Sequence, residues 1–267
     1  MSDNLNATIE SGGGDMISAR IRRMTGMHWL VLFGTIVLAW ILLYVMALPE
    51  GMRAAGRIYG ADFLASLCVV TPDSAGFARI AAMWALMSAA MMAPTALPAL
   101  ATYDELSHSG QTRFGLLLAG YMVVWLGFSL LAAAVQMALF RAGLVSAFGD
   151  SMSGLLSGGL LLLAGAYQFS PLKAACLAKC RAPLGFFMQH WDEGAWRNGL
   201  RLGLVCLGCC WALMALAFVG GVMNLAFMGL ATAIMVIEKL PDLGRWLTRP
   251  LGGLLMMGGL WWCLSAI

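Results

Sequence analysis

Charge is what this sequence has least of. Only 11% of its 267 residues are Asp, Glu, Lys or Arg, where a soluble domain carries roughly a quarter. A chain this long could bury a soluble core, but that core would need a charged surface that this composition cannot supply. Alternation of apolar and polar residues is lacking too, since the apolar stretches are continuous and rich in Leu, Ala, Met and Gly. That excludes a membrane β-barrel, whose strands would show about ten residues of alternating hydrophobicity. The net charge is only +3 and no basic run is interleaved with aromatics, so nucleic acid is set aside as a partner. There is no P-loop, no GxGxxG, no nucleophile elbow and no HExxH, and Ser, His and Asp do not cluster. An ordinary hydrolase or ATPase is therefore unsupported, and no enzymatic reaction is assigned. His28, His108 and His190 form no metal spacing. Seven cysteines are too few and too unevenly placed for a secreted disulfide scaffold.

What is there is apolar length. Hydrophobic residues make up 61% of the chain. Lipid tolerates such a surface and demands that every backbone polar group be satisfied within the segment. The fold class expected is all-α, a polytopic transmembrane helical bundle. Residues 1–19 are polar, with Gly12-Gly13-Gly14, and read as a disordered cytoplasmic tail. Residues 20–267 read as a single transmembrane domain. Apolar runs predict seven spans at about 27–48, 78–101, 114–140, 153–170, 199–220, 222–238 and 250–267. The first is too long for a signal-peptide core. The stretch 199–238 is too long for one crossing, and Gly220-Gly221 offers a tight turn. Splitting it there gives seven spans, and leaving it whole gives six.

Loop charge decides between the two. With the N-terminus inside, seven spans leave twelve cations on the cytoplasmic side: Arg20, Arg22, Arg23, Arg113, Lys173, Lys179, Arg181, Arg197, Arg201, Lys239, Arg245 and Arg249. Four lie outside: Arg53, Arg57, Arg79 and Arg141. The positive-inside rule favours that arrangement. It predicts a multi-pass protein of the bacterial inner membrane with the N-terminus cytoplasmic and the C-terminus outside. The long inner loop 171–198 is expected to lay a helix along the membrane surface, and Phe63–Val70 to dip into the outer interface. Gly154 with Gly158, Gly199 with Gly203, and the pairs Gly252-Gly253 and Gly258-Gly259 have the spacing that lets helices approach closely.

Two residue types are concentrated. Of 20 methionines, Met83, Met87 and Met91 lie four apart on one face of the second span, with Met92 about 100° further round. Pro94 follows and should kink the helix. Thioethers next to a kink suit Cu(I), a soft ion, and equally suit core packing by a flexible side chain. Of the seven cysteines, Cys206, Cys209 and Cys210 share one arc of the fifth span. Thiolates bind Cu(I) and Zn(II) strongly, and buried thiols also serve as small hydrophobes. Cys176 and Cys180 form a CxxxC on the proposed surface helix, beside Lys173, Lys179 and Arg181. The pair suits a metal or a redox dithiol, and a standing disulfide is disfavoured in a reducing cytosol. Gln168, Asn224 and Glu238 are further polar candidates at span ends, Glu238 beside Lys239 where snorkelling costs little. Cys68 and Cys263 both fall on the outer side, where a disulfide between them is conceivable.

Three segments in order, MWALMSAAMMAPTALP, YQFSPLKAACLAKCRAP and GLVCLGCCWALMALAFVGGVMNLAFM with the later Glu238-Lys239, resemble a bacterial domain-of-unknown-function family. Its members are described as predicted metal-binding integral membrane proteins. The resemblance covers about 78–240. It implies a membrane protein with a metal site, and its motif positions here are Met87, Met91, Met92, Pro94, Tyr167, Gln168, Pro171, Lys173, Cys176, Cys180, Cys206, Cys209, Cys210, Trp211, Met223, Asn224 and Glu238. Three functions from different classes follow. One is binding or transport of a soft metal, Cu(I) above all, through Met83, Met87, Met91, Met92, Cys176, Cys180, Cys206, Cys209 and Cys210, with a metal chaperone or membrane protein as partner. In that reading thioethers, intramembrane thiols and a surface dithiol form an ordered series across the bilayer. The second is a structural or assembly subunit of a membrane complex, and the third a membrane thiol oxidoreductase using Cys176 and Cys180.

Overall fold

Continuous apolar runs in lipid can satisfy their backbone only as helices, and helices are what form. The structure is a computed structural model, which describes residues 26–48, 61–71, 73–106, 113–241 and 243–266. The expected tail 1–19, the arginines at 20, 22, 23, 53 and 57, and His108 lie outside the described residues. The helices are α1 (Met27–Ala47), α2 (Ala61–Ser66), α3 (Ser74–Leu106), α4 (Phe114–Arg141), α5 (Gly154–Gln168), α6 (Pro171–Arg181), α7 (Pro183–His190), α8 (Gly194–Ala215), α9 (Ala217–Gly220), α10 (Leu225–Lys239) and α11 (Leu243–Ser265). Among the described residues there is no strand, only an isolated bridge between Val145 and Ser151. The all-helical expectation holds.

Four stretches are long and apolar enough to cross a membrane: α1, α3, α4 and the run Pro183–Gly220. A fifth arises if α5 and α6, bent by 61° at their junction, are one broken span. The expected count of seven therefore outruns what length and composition of the helices show. The reason lies in two helices. α10 has 15 residues, about 22 Å at 1.5 Å per residue, short of a hydrocarbon core of roughly 30 Å. α11 begins at Leu243 and carries Arg245 and Arg249 in its first turns. Large apolar side chains face outward: Leu30, Val31, Ile41 and Tyr44 of α1 and Trp261 of α11 are all more than half exposed.

Local chemistry sets the breaks. Pro171 sits at the first turn of α6, and the Ser170 hydroxyl accepts from the Lys173 amide at 3.1 Å, so the chain restarts there instead of continuing α5. Gly221 adopts φ +93°, and Asn224 caps α10 by accepting from the Phe227 amide at 3.1 Å. The chain turns back as the Gly220-Gly221 split anticipates, because Lys239 at the end of α10 returns to the level of Cys206 on α8. α3 runs unbroken through Pro94 and Pro98. Pro94 removes the partner of the Ala90 carbonyl, and the Trp40 indole restores one by donating to it at 3.1 Å.

Close backbone approach holds the bundle. α8 packs along α4, and a Cβ on Gly199 would strike the Leu117 carbonyl and lie 3.1 Å from Gly120 Cα. α5 packs along α11 through Gly158 against Gly259 and Gly165 against Gly252, while Gly253 and Gly258 face open space. Gly199→Val should therefore lower the melting temperature in detergent, because overpacking costs about 1–3 kcal/mol. Gly127→Val, on an open face of α4, should leave it unchanged, and equal effects of the two would contradict the packed seam.

Candidate metal centre

The i, i+3, i+4 spacing on α8 turns three thiols to one side. Cys206, Cys209 and Cys210 are each 1% exposed, and their sulfurs lie within 4.8 Å of one another. Cys209 and Cys210 are 3.3 Å apart. A fourth thiol joins from another helix, for Cys180 Sγ on α6 lies 3.9 Å from Cys209 Sγ. Cys176, one turn earlier on α6, rests on the Gly208 backbone, where an added Cβ would come 2.6 Å from its sulfur. The Tyr167 hydroxyl donates to the Gly208 carbonyl at 2.5 Å and fixes that junction. The expected separation of a surface dithiol from an intramembrane cluster is thus corrected. α6 packs against α8 and brings Cys180 onto the cluster, with Cys176 beside it against the Gly208 backbone.

The opposite wall is polar. Lys239 Nζ donates to Cys206 Sγ at 3.0 Å and to Thr95 Oγ1 at 2.7 Å. The Tyr121 hydroxyl donates to the Met92 carbonyl at 2.9 Å, and its oxygen lies 3.1 Å from Cys206 Sγ. Thr95, Tyr121, Cys180, Cys206 and Lys239 line a cavity of about 10 Å³, close to the space one water or one small ion fills.

The donor set fits a soft ion. Two sulfurs bound at about 2.3 Å to one metal stand about 3.8 Å apart in tetrahedral and about 4.6 Å apart in linear geometry. The sulfur separations of 3.3 Å, 3.9 Å and up to 4.8 Å bracket that range. A coordinating thiol is deprotonated outright, so a bound monovalent ion would leave excess negative charge in an apolar bundle. The Lys239 ammonium offsets part of it at contact distance.

The methionines take other places. Met83, Met87, Met91 and Met92 are all buried core residues. Met91 and Met92 lie within one turn of Thr95, whereas Met83 is about 18 Å away along the helix axis. What joins α3 to the cysteines is the Met92 carbonyl and the Thr95 hydroxyl, the latter 3.9 Å from Cys206 Sγ. α3 and α8 meet at that point, and both also pack along α4. Asn224 is a helix cap. Gln168 is buried, with neither end of its amide partnered. Cys68 and Cys263 form no disulfide with each other.

Glu238 does not snorkel. It is 1% exposed and pairs with Lys173 Nζ at 2.8 Å, Lys173 being equally buried. Arg181 Nε donates to the Glu238 carbonyl at 2.9 Å. Both lysines counted above as loop charges, Lys173 and Lys239, are buried inside the protein. Sequence reasoning missed Lys239, Thr95 and Tyr121 as site residues. The signal for Lys239 was present, since an ionisable residue closing an apolar run is a functional candidate by default. Lys173→Ala would strand the Glu238 carboxylate and should cost about 3–5 kcal/mol of stability. The Lys173→Met, Glu238→Gln double variant should recover much of it in thermal unfolding, and a neutral single variant would contradict the buried pair.

Comparison with curated proteins and with solved structures yields no match. Comparison with protein families matches residues 81–262 to PpoB2, described as a copper chaperone. The matched segment runs from α3 through the thiol-bearing helices into α11 and takes in more than half of the chain. With that coverage, and with a buried cysteine cluster at its centre, the chain belongs to the PpoB2 copper chaperone family.

Proposed function

We propose that this protein is a multi-pass protein of the bacterial inner membrane that holds Cu(I) on Cys180, Cys206, Cys209 and Cys210 and hands it to a partner protein. The observation that carries the reading is the convergence of thiols from α6 and α8 on a cavity of about 10 Å³ closed by Lys239. Thiolates select Cu(I) over harder ions, and family membership points to the same metal. Cys176, half-buried against Gly208, extends the thiol surface beyond the cluster and suits stepwise transfer between soft sites. Met91 and Met92 would supply thioethers on the α3 side, with Met87 and Met83 farther along. Seven crossings, N-terminus cytoplasmic and C-terminus outside, remain the topology that the charges support, because setting aside the buried Lys173 and Lys239 leaves the positive-inside bias in place. In that orientation α6 lies toward the cytoplasmic side, which suits exchange with a soluble metal carrier.

Purified under reducing conditions and loaded with Cu(I), the wild type should retain copper through desalting when metal is measured by mass spectrometry. The Cys206→Ser, Cys209→Ser, Cys210→Ser triple variant should fall to background. Copper at background in the wild type, unchanged in the triple variant, would sink the proposal. Lys239→Met should weaken Cu(I) affinity by about 10–100-fold, as loss of a group that orients a metal ligand does. Competition with a chromogenic Cu(I) chelator measures it, and unchanged affinity would remove Lys239 from the centre.

A further inference from the structure

A second cavity, of about 1050 Å³, opens where the α5–α6 junction meets the start of α11. Gln168, Arg181, Arg245, Trp246 and Arg249 line it, and among the described residues no carboxylate does. Arg245 and Arg249 stand at i and i+4 on α11, a spacing at which like charges repel. Both are exposed, and among the described residues neither pairs with an acid. Arg181 adds a third guanidinium. Its Nε is used by the Glu238 carbonyl, but one terminal nitrogen is buried without a partner. Gly244 allows the start of α11 to lie against that guanidinium, since a Cβ there would come 2.9 Å from Arg181 Nη2. Gln168 is 5% exposed, and both its amide nitrogen and oxygen lack partners.

Buried polar groups are almost always satisfied, and leaving one unmade costs its full desolvation. Here two unsatisfied donors, on Gln168 and Arg181, lie beside two further unpaired guanidiniums. A planar guanidinium matches phosphate oxygens with paired donors. The cavity's other lining is amphipathic: Trp246 is 83% and Phe169 52% exposed, as befits side chains at a membrane interface. We propose that this cavity binds a phosphate group, supplied by an anionic phospholipid headgroup or by free phosphate. The thiol cluster plays no part in it, so the two sites can fail separately.

The test is native mass spectrometry of the full-length protein released from detergent. Phosphatidylglycerol, phosphatidylcholine and inorganic phosphate are the probes, each added alone. The wild type should retain phosphatidylglycerol in preference to phosphatidylcholine. In the Arg245→Gln, Arg249→Gln double variant retention should weaken about thirtyfold, given the typical contribution of each basic residue near a lipid surface. Retention of inorganic phosphate by the wild type, lost in the double variant, would identify free phosphate as the source and equally support the site. Gln168→Leu, which removes the orphaned amide, should fold at least as stably as the wild type and lose part of the preference. Equal retention of both lipids with no phosphate retained, or a preference that survives the arginine substitutions, overturns the proposal.

Discussion

Lys239 is the residue on which the centre depends, because thiols gathered in an apolar bundle can ionise only if something compensates their charge. Its ammonium touches Cys206 at 3.0 Å and is itself anchored on Thr95. Without it, three thiols on one arc of α8 would be ordinary small hydrophobes. Placing a lysine there requires that α10 return along α8 and stop at the right depth. Gly221 makes the turn, Asn224 caps the returning helix, and the Lys173–Glu238 pair locks its far end to α6. The same lock brings Cys180 against Cys209. One buried ion pair thus supports both halves of the thiol site.

The pair also explains why charges persist inside so apolar a protein. A buried ion pair seldom adds net stability over an apolar replacement, but breaking it is costly. Here it sits one residue from Lys239, so it fixes register as well as contact. The Arg181 contact to the Glu238 carbonyl adds a second tie to the same point. Close glycine contacts then set the helix spacing, with α4 against α8 and α5 against α11, leaving polar side chains to decide position along the axes.

The helices were legible because apolar run length is a local property. The runs at 27–48 and 114–140 match α1 and α4 within a residue, and the turn at Gly220-Gly221 was readable from two glycines in an overlong run. The face shared by Cys206, Cys209 and Cys210 was legible for the same reason, as it follows from helical spacing alone. What was not legible is pairing over distance. Cys180 meeting Cys209, Lys239 meeting Cys206, and Thr95 meeting both depend on how α3, α6, α8 and α10 pack. No local periodicity encodes that. Lys173, Lys239 and Glu238 are buried where the sequence suggested exposed loop or snorkelling charges, because burial depends on partners supplied by other helices. The methionine spacing was compatible with two roles, and the structure places all four in the core, two of them near the cluster's level.

In the proposed centre, thiols from two helices share one Cu(I) ion. X-ray absorption at the copper edge of the Cu(I)-loaded protein tests it most directly. The predicted result is a shell of sulfur alone at about 2.3 Å, losing amplitude in Cys180→Ser and again in Cys206→Ser. A shell of nitrogen or oxygen, or a sulfur shell that neither substitution alters, would contradict it.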